Sequence, residues 1–332
     1  MVEEEEPVAV AETEDRVSAE VDSTRASTMS SGDVDTESGV STMERLKLLL
    51  HQPSAVVALV VFSVFALSAL FADVLTAYGP TEIVGAPLQP ASGKHWFGTD
   101  EIGRDILTRI IHGGRASIGI GLAAALLALI IGVPWGLISG YYKGLIDTIS
   151  MRVTDGMLAF PGIILAMATV AVLGPSATNV MIAIGIIQIP RFTRLVRAET
   201  LAQREREFVS AAIASGASDF YVLRRSIFPN VTSTLIVQFT LSFALAVLTE
   251  AGLSFIGLGV QPPNPTWGGM LNTAKNYMNQ APLYALLVGS AIFLLVLSLS
   301  LIGDALRDVL DPDRVARGPG DADDTAAGLG GA

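Results

Sequence analysis

The feature that most constrains this chain is a series of apolar stretches, each close to the length needed to cross a lipid bilayer. A crossing takes about 20 residues, because the hydrocarbon core is about 30 Å thick and a helix rises 1.5 Å per residue. Six stretches meet or approach that length: near Ser54–Thr76, Ser117–Ser139, Thr154–Leu173, Ala177–Leu195, Thr232–Phe255 and Leu283–Ile302. The fourth is the weakest, since Pro190 and Arg191 interrupt it. A mean hydropathy of +0.53, with 51% hydrophobic residues, lies above what soluble domains reach. The expected fold is therefore all-α, with six transmembrane helices.

A net charge of −11 seems to argue the other way until the charges are located. Of 32 acidic and 21 basic side chains, residues 1–42 hold 12 and 2, and residues 311–332 hold 5 and 2. The body between carries 15 and 17, so the acidity belongs to the ends. Both ends lack the apolar residues needed to offset chain entropy, and we expect residues 1–43 and 311–332 to be disordered tails. The acidic start, with no apolar core segment, does not read as a signal peptide.

Basic residues give the expected orientation. Arg45 and Lys47 precede the first span, and Lys143 and Arg152 lie between the second and third. Arg191, Arg194, Arg197, Arg204, Arg206, Arg224 and Arg225 lie between the fourth and fifth, and Arg307, Arg314 and Arg317 follow the sixth. All of these share one side if both termini are cytoplasmic. Lys94, Arg104, Arg109, Arg115 and Lys275 then fall outside, against Glu82, Asp100, Glu101 and Asp105. Gly132, Gly136 and Gly140 recur at four-residue spacing, which puts small residues on one helix face and lets a neighbouring backbone come close. Pro134, Pro161 and Pro190 each remove a backbone donor that lipid cannot replace.

Several chemistries are excluded. With no cysteine there is no disulfide, thiolate site or cysteine nucleophile. The three histidines, His51, His95 and His112, all lie in the first third, so no later helix carries a histidine-built metal site. Gly93-Lys94-His95 lacks the Ser or Thr and the upstream glycine of a phosphate-binding loop. Gly136-Leu137-Ile138-Ser139-Gly140 is spaced wrongly for an intramembrane serine protease, and no histidine follows His112. We expect no catalytic residues, no metal and no cofactor bound by this chain.

The informative segment is residues 204–230, REREFVSAAIASGASDFYVLRRSIFPN. Phe208, Val209, Ala211 and Ala212 favour a short amphipathic helix, which Gly216 ends in a left-handed position. Ser218 or Asp219 caps a second short helix, and Pro229 closes the loop before the fifth span. A helix–glycine–helix element at a membrane surface is shaped to enter a groove on another protein.

This segment resembles the EAA loop of permease subunits of ATP-binding-cassette (ABC) importers. That pattern reads Glu-Ala-Ala, three residues, Gly, nine residues, Ile-x-Leu-Pro; Ala211, Ala212, Gly216 and Pro229 fall in place. Ser210 stands where Glu would be, Ser226 where Ile would be and Phe228 where Leu would be, with Ile227 one place late. The stretch from His95 to Asp105 (HWFGTDEIGRD) is similar to a signature of the C-type permease of dipeptide, oligopeptide and nickel importers. So are Asp155 to Pro161 (DGMLAFP) and Leu253 to Trp267 (LSFIGLGVQPPNPTW). The resemblance covers roughly residues 45–312.

It implies a type I importer permease that pairs with a homologous second permease subunit to form a translocation path for di- or oligopeptides. Nickel complexes and oligosaccharides are moved by close relatives. One or two ABC ATPase subunits would carry ATP and Mg, an extracellular solute-binding protein would deliver substrate, and no nucleic acid is involved. By the resemblance the coupling residues are Ser210, Ala211, Ala212, Gly216, Asp219 and Pro229. The implied division is a first helix with an extracellular loop over 44–115, and a permease domain over 116–310.

Two rivals stay open at this stage. A carrier driven by an ion gradient predicts inverted repeats and buried mid-membrane acids; Glu250, on the fifth span, is a candidate pathway or interfacial charge. A membrane scaffold gives no reason for a glycine-hinged loop in this register. Asp155 is expected to pair with Arg152 one turn back, and His95 and His112 to lie at the surface or interface.

Overall fold

The structure, a computed structural model, describes Leu50 and residues 52–310; the expected disordered tails lie outside the described residues. Among the described residues there is no strand, only an isolated bridge between Thr99 and Asp105. The helices are α1 (Pro53–Leu70), α2 (Ala72–Leu75), α3 (Ile106–Tyr142), α4 (Gly144–Leu158), α5 (Gly162–Leu173) and α6 (Ala177–Arg204). They continue with α7 (Glu207–Ala214), α8 (Asp219–Tyr221), a π-helical turn (Val222–Ile227), α9 (Phe228–Phe255), α10 (Trp267–Ala274) and α11 (Pro282–Leu310).

Among the described residues five continuous helices are long and apolar enough to cross a membrane, and α4 with α5 makes a sixth only as a broken pair bent by 85°. The third expected span is thus not one straight helix from Thr154. The chain turns at Ala159–Pro161, because Pro161 has no N–H to continue α4 and instead stands as the N-cap of α5. The expected interruption of the fourth span is absent. Helix α6 runs through Pro190 to Arg204, and Arg194 and Arg197, expected in a loop, lie on it beside acids of α4.

Glycine explains the tightest seam. A Cβ on Gly132 would stand 2.6 Å from that of Phe192, one on Gly136 2.6 Å from the Thr193 carbonyl oxygen, and one on Gly140 2.7 Å from the Thr200 Cβ. The contacts advance in step along both chains, so α3 and α6 run parallel with their backbones nearly touching. Helix α9 crosses α3 in the opposite sense, with Val247 over Gly121 near one end and Phe228 beside Leu137 at the other. Helix α11 packs on α9 and on α1.

At the end of the bundle where α3 begins, residues 77–105 fold into a cap. Asp105 is the N-cap of α3, accepting the Thr108 N–H at 2.8 Å. Asp100, wholly buried, accepts from the Ile102 and Arg104 N–H groups at 3.1 and 2.9 Å and from Arg104 Nε at 2.6 Å, and it faces Arg109 Nε at 3.2 Å. Arg104 also donates to Glu101 at 2.6 Å, and Arg109 donates to the Pro80 carbonyl at 2.8 Å. His95 is buried rather than superficial, its Nδ1 3.0 Å from Asp105, and the His112 ring reaches the Thr76 hydroxyl. The arginines that looked out of place by the basic-side rule are therefore buried and paired, apart from half-exposed Arg115, which holds Asp73 and the α1 carboxyl-terminal carbonyls. Helix α3 passes straight across the expected 115/116 division, so that division falls inside one helix.

Candidate functional site

The opposite end of the bundle carries residues 204–230. Helix α7 buries Val209 fully and half-buries Ala212 against Val196, Val222, Ile227 and Tyr141. Ser215 ends it, Gly216 follows at φ +82°, and two bonds close the turn: Gly216 N–H to the Ile213 carbonyl and Ala217 N–H to the Ala212 carbonyl. These are the 5→2 and 6→1 bonds of a Schellman motif, which asks for a residue in the left-handed region at Gly216. Nothing lies within 4 Å of a Cβ built there, so the requirement is one of backbone angle and leaves open space in front of the turn.

Ser218 caps the next helix, its hydroxyl accepting the Tyr221 N–H at 3.4 Å. The second helix is not short. Residues Asp219–Phe255 form one continuous stretch of 37 residues, so α8 is the first turn of the fifth span. The join is the π-helical turn, where Phe228 N–H bonds five residues back to Leu223. Pro229 sits just inside α9 and lacks an N–H; the wider turn makes room for its ring, and the Asn230 side-chain amide donates to the Ser226 carbonyl at 2.6 Å. Pro229 therefore lies inside a helix rather than closing a loop.

Of the sequence-picked residues, Ser210, Ala211, Gly216, Asp219 and Pro229 are exposed and Ala212 is half-buried. Around them stand Phe208, Ile213, Phe220 and Tyr221, all more than 45% exposed. Four large, largely apolar side chains thus stand exposed around the turn, and of these the sequence marks only Phe208, as a helix former. The flank is tied down by ion pairs. Arg194 holds Asp155, displacing the expected Arg152 pair because α6 lies alongside α4. Arg197 grips Asp147, with one contact at 2.6 Å, and Lys143 meets Glu205 at 2.7 Å. The Lys143 contact holds the exposed Glu205 carboxyl below its usual range.

Glu250 is elsewhere, near the cap end. It lies at neither an exposed interface nor an open cleft. The carboxyl is wholly buried, with Ser254 donating to Oε1 at 2.6 Å and no hydrogen-bond partner for Oε2 among the described residues. The covering element is α10. A Cβ on Gly268 would stand 2.3 Å from the Ala251 carbonyl oxygen, and the Trp267 indole donates to the Ile110 carbonyl of α3 at 2.8 Å. Between α6, α9 and α11, at the coupling end, a half-open cavity of about 550 Å³ is lined by Glu199, Gln203, Asn230, Thr234, Gln238 and Arg307 among others.

Comparison with known proteins gives a consistent set. The sequence model of the family described as binding-protein-dependent transport system inner membrane component matches residues 132–315. A dipeptide transport system permease protein, DppC of Alkalihalophilus pseudofirmus, is 46% identical over 270 residues, covering 81% of this chain and 89% of that one. A glutathione transport system permease protein, GsiD of Pectobacterium atrosepticum, is 46% identical over 221 residues, covering 67% and 73%. Among solved structures, the MetNI methionine ABC transporter in an inward-facing conformation matches with a TM-score of 0.52 and 16% identity, covering 61% of this chain and 97% of that one. At that identity the likeness is one of fold.

Proposed function

Since the chain belongs to the family of binding-protein-dependent transport system inner membrane components, we propose that it forms half of a translocation path for peptides, driven by ATPases on other chains. The dipeptide and glutathione permeases at 46% identity support the substrate class. A homologous second permease subunit completes the path, one or two ATPase subunits bind ATP and Mg, and an extracellular binding protein delivers the peptide. Both termini lie on the cytoplasmic side, with the cap of residues 77–105 outside.

The observation that carries this reading is the turn at Gly216. A buried Val209 anchors α7 to the bundle, while Ser210, Ala211 and Gly216 face outward among Phe208, Ile213, Phe220 and Tyr221. An exposed apolar turn in water is unfavourable unless a partner covers it, and a cleft on an ATPase is the partner the EAA resemblance supplies. The cavity, whose mixed lining includes Glu199, Gln203 and Thr234 beside Leu195, Val237 and Leu241, supports a cytoplasmic mouth of the path on the same side.

Gly216→Trp tests it. The ring enters open space, so only the left-handed backbone is strained, at about 1 kcal/mol. The variant should insert normally, fail to retain the ATPase subunits on purification and lose uptake. Normal uptake by Gly216→Trp, or uptake by the native protein that survives ATP depletion, would overturn the proposal; the second result would favour a gradient-driven carrier.

A further inference from the structure

Two 37-residue helical stretches, Ile106–Tyr142 and Asp219–Phe255, run side by side in opposite senses from one end of the bundle to the other. Each is about 55 Å long at 1.5 Å per residue. They are joined at both ends. At the cap end, Trp267, which follows α9, donates its indole N–H to Ile110 and its backbone N–H to the Ser117 hydroxyl at 3.2 Å. At the coupling end the join is a single side chain, Tyr141.

Tyr141 is only 5% exposed, although it is the penultimate residue of α3. Its hydroxyl donates to Asp219 Oδ1 at 2.9 Å, and Asp219 is the first residue of the second stretch. The Arg204 guanidinium, the last residue of α6, stands 5.2 Å over its ring. Tyr142 packs edge-on at 5.2 Å. One ring thus meets the ends of α3 and α6 and the start of α8, directly behind the Gly216 turn. Val209 of α7 and Val222 of the π-helical turn share its buried apolar cluster.

We propose that Tyr141 is the positioning residue that transmits displacement of the coupling turn into α3, and through α3 to the cap. This rests on the reading that the turn docks on an ATPase. A push on α7–α8 reaches α9 through the continuous backbone. Its other routes into α3 run through apolar contacts, through the short backbone link from α7 to α6 and the glycine seam, and through the exposed Lys143–Glu205 pair, which is weak. Among the described residues Tyr141 alone ties α3 directly to the start of the second rod by a side-chain hydrogen bond. The hydrogen bond to a carboxylate is directional and charge-assisted, so it keeps the two rods in register as they move.

The test uses the assembled transporter, with its second permease subunit, ATPases and binding protein, in proteoliposomes. Tyr141→Phe keeps the ring, its packing and the Arg204 contact and removes only the hydrogen bond. The expected result is a drop of about tenfold in peptide taken up per ATP hydrolysed, with the ATPase subunits still bound. Asp219→Ala, at an exposed position, should give the same drop, and the double variant should be no worse than either alone. Because the chain has no cysteine, single spin labels at Ser215 and at Lys94 can be read separately. In Tyr141→Phe the nucleotide-dependent change should persist at Ser215 and disappear at Lys94, a split that a merely structural role would not produce. Native uptake per ATP in Tyr141→Phe, or loss of both signals together, would overturn the proposal. Failure of ATPases to bind the native chain would instead overturn the docking reading.

Discussion

At the cap end, Asp100, Arg104, Asp105 and Arg109 are each under a tenth exposed, Asp100 facing both arginines and Asp105 facing His95, whereas at the coupling end Ser210, Ala211, Gly216 and Asp219 stand at exposed positions. Both segments resemble family signatures, yet they differ in kind. The FGTDxxGRD stretch is consumed by its own fold: Asp100 alone accepts from two backbone amides and a guanidinium and faces a second. The EAA-like stretch has its turn closed by the Schellman bonds, and apart from buried Val209, and from Asp219, which accepts from Tyr141, the large side chains around that turn face outward. A signature whose charged groups are buried against one another and their neighbours reports on folding. One whose side chains face outward reports on a partner.

That contrast breaks first at the cap. Asp100→Ala leaves the buried Arg109 guanidinium without its carboxylate and Arg104 with Glu101 alone, and removing one partner of a buried ion pair costs about 3–5 kcal/mol. We expect a large fall in the melting temperature of the purified protein; a native melting curve would mean that the cap is not a structural lock. Next is the glycine seam. Gly136→Leu would put a side chain where a Cβ is already 2.6 Å from the Thr193 carbonyl, forcing α3 from α6 at about 1–3 kcal/mol or more, again read by thermal unfolding.

At the coupling end stability should hardly change. Ser210→Glu restores the residue that the EAA pattern carries, at an exposed site, so the melting curve should move by no more than about 0.5 kcal/mol while uptake is retained. Uptake lost in this variant would show that the exposed serine makes a contact specific to this chain. The smallest effect is one of pH. Lys143 depresses the Glu205 carboxyl, so the contribution of that pair is present above the ordinary carboxylate range and is lost as pH falls through the lowered value. The difference in melting temperature between the native chain and Glu205→Gln should therefore exist at neutral pH and vanish well below about pH 4.

Much of this architecture was legible in the residues. Gly216 could be assigned a left-handed helix end, and Gly132, Gly136 and Gly140 a close backbone approach, because both follow from local geometry alone. The true length of α3 could not be read. Its first three turns carry Arg109, His112 and Arg115, which a hydropathy window rejects, and their neutralising partners come from residues 73–101 of the fold. The continuation of α6 past Pro190 and Arg191 was hidden for the same reason, since Asp147 and Asp155 of α4 supply the counter-charges. Glu250 was visible as a charge in a span, but only the packing of α10 over it shows that it is sealed. Tyr141 gave no signal at all, because an aromatic residue at the end of a span reads as an interfacial anchor.

The most direct test of the docking claim uses a single cysteine placed at Ser215, beside the glycine turn, in a chain that otherwise has none. In the assembled transporter the account predicts that this thiol crosslinks to an ATPase subunit and is reached by a membrane-impermeant reagent only from the cytoplasmic side. Labelling of the same thiol from outside intact cells, with no crosslink to any ATPase, would contradict it.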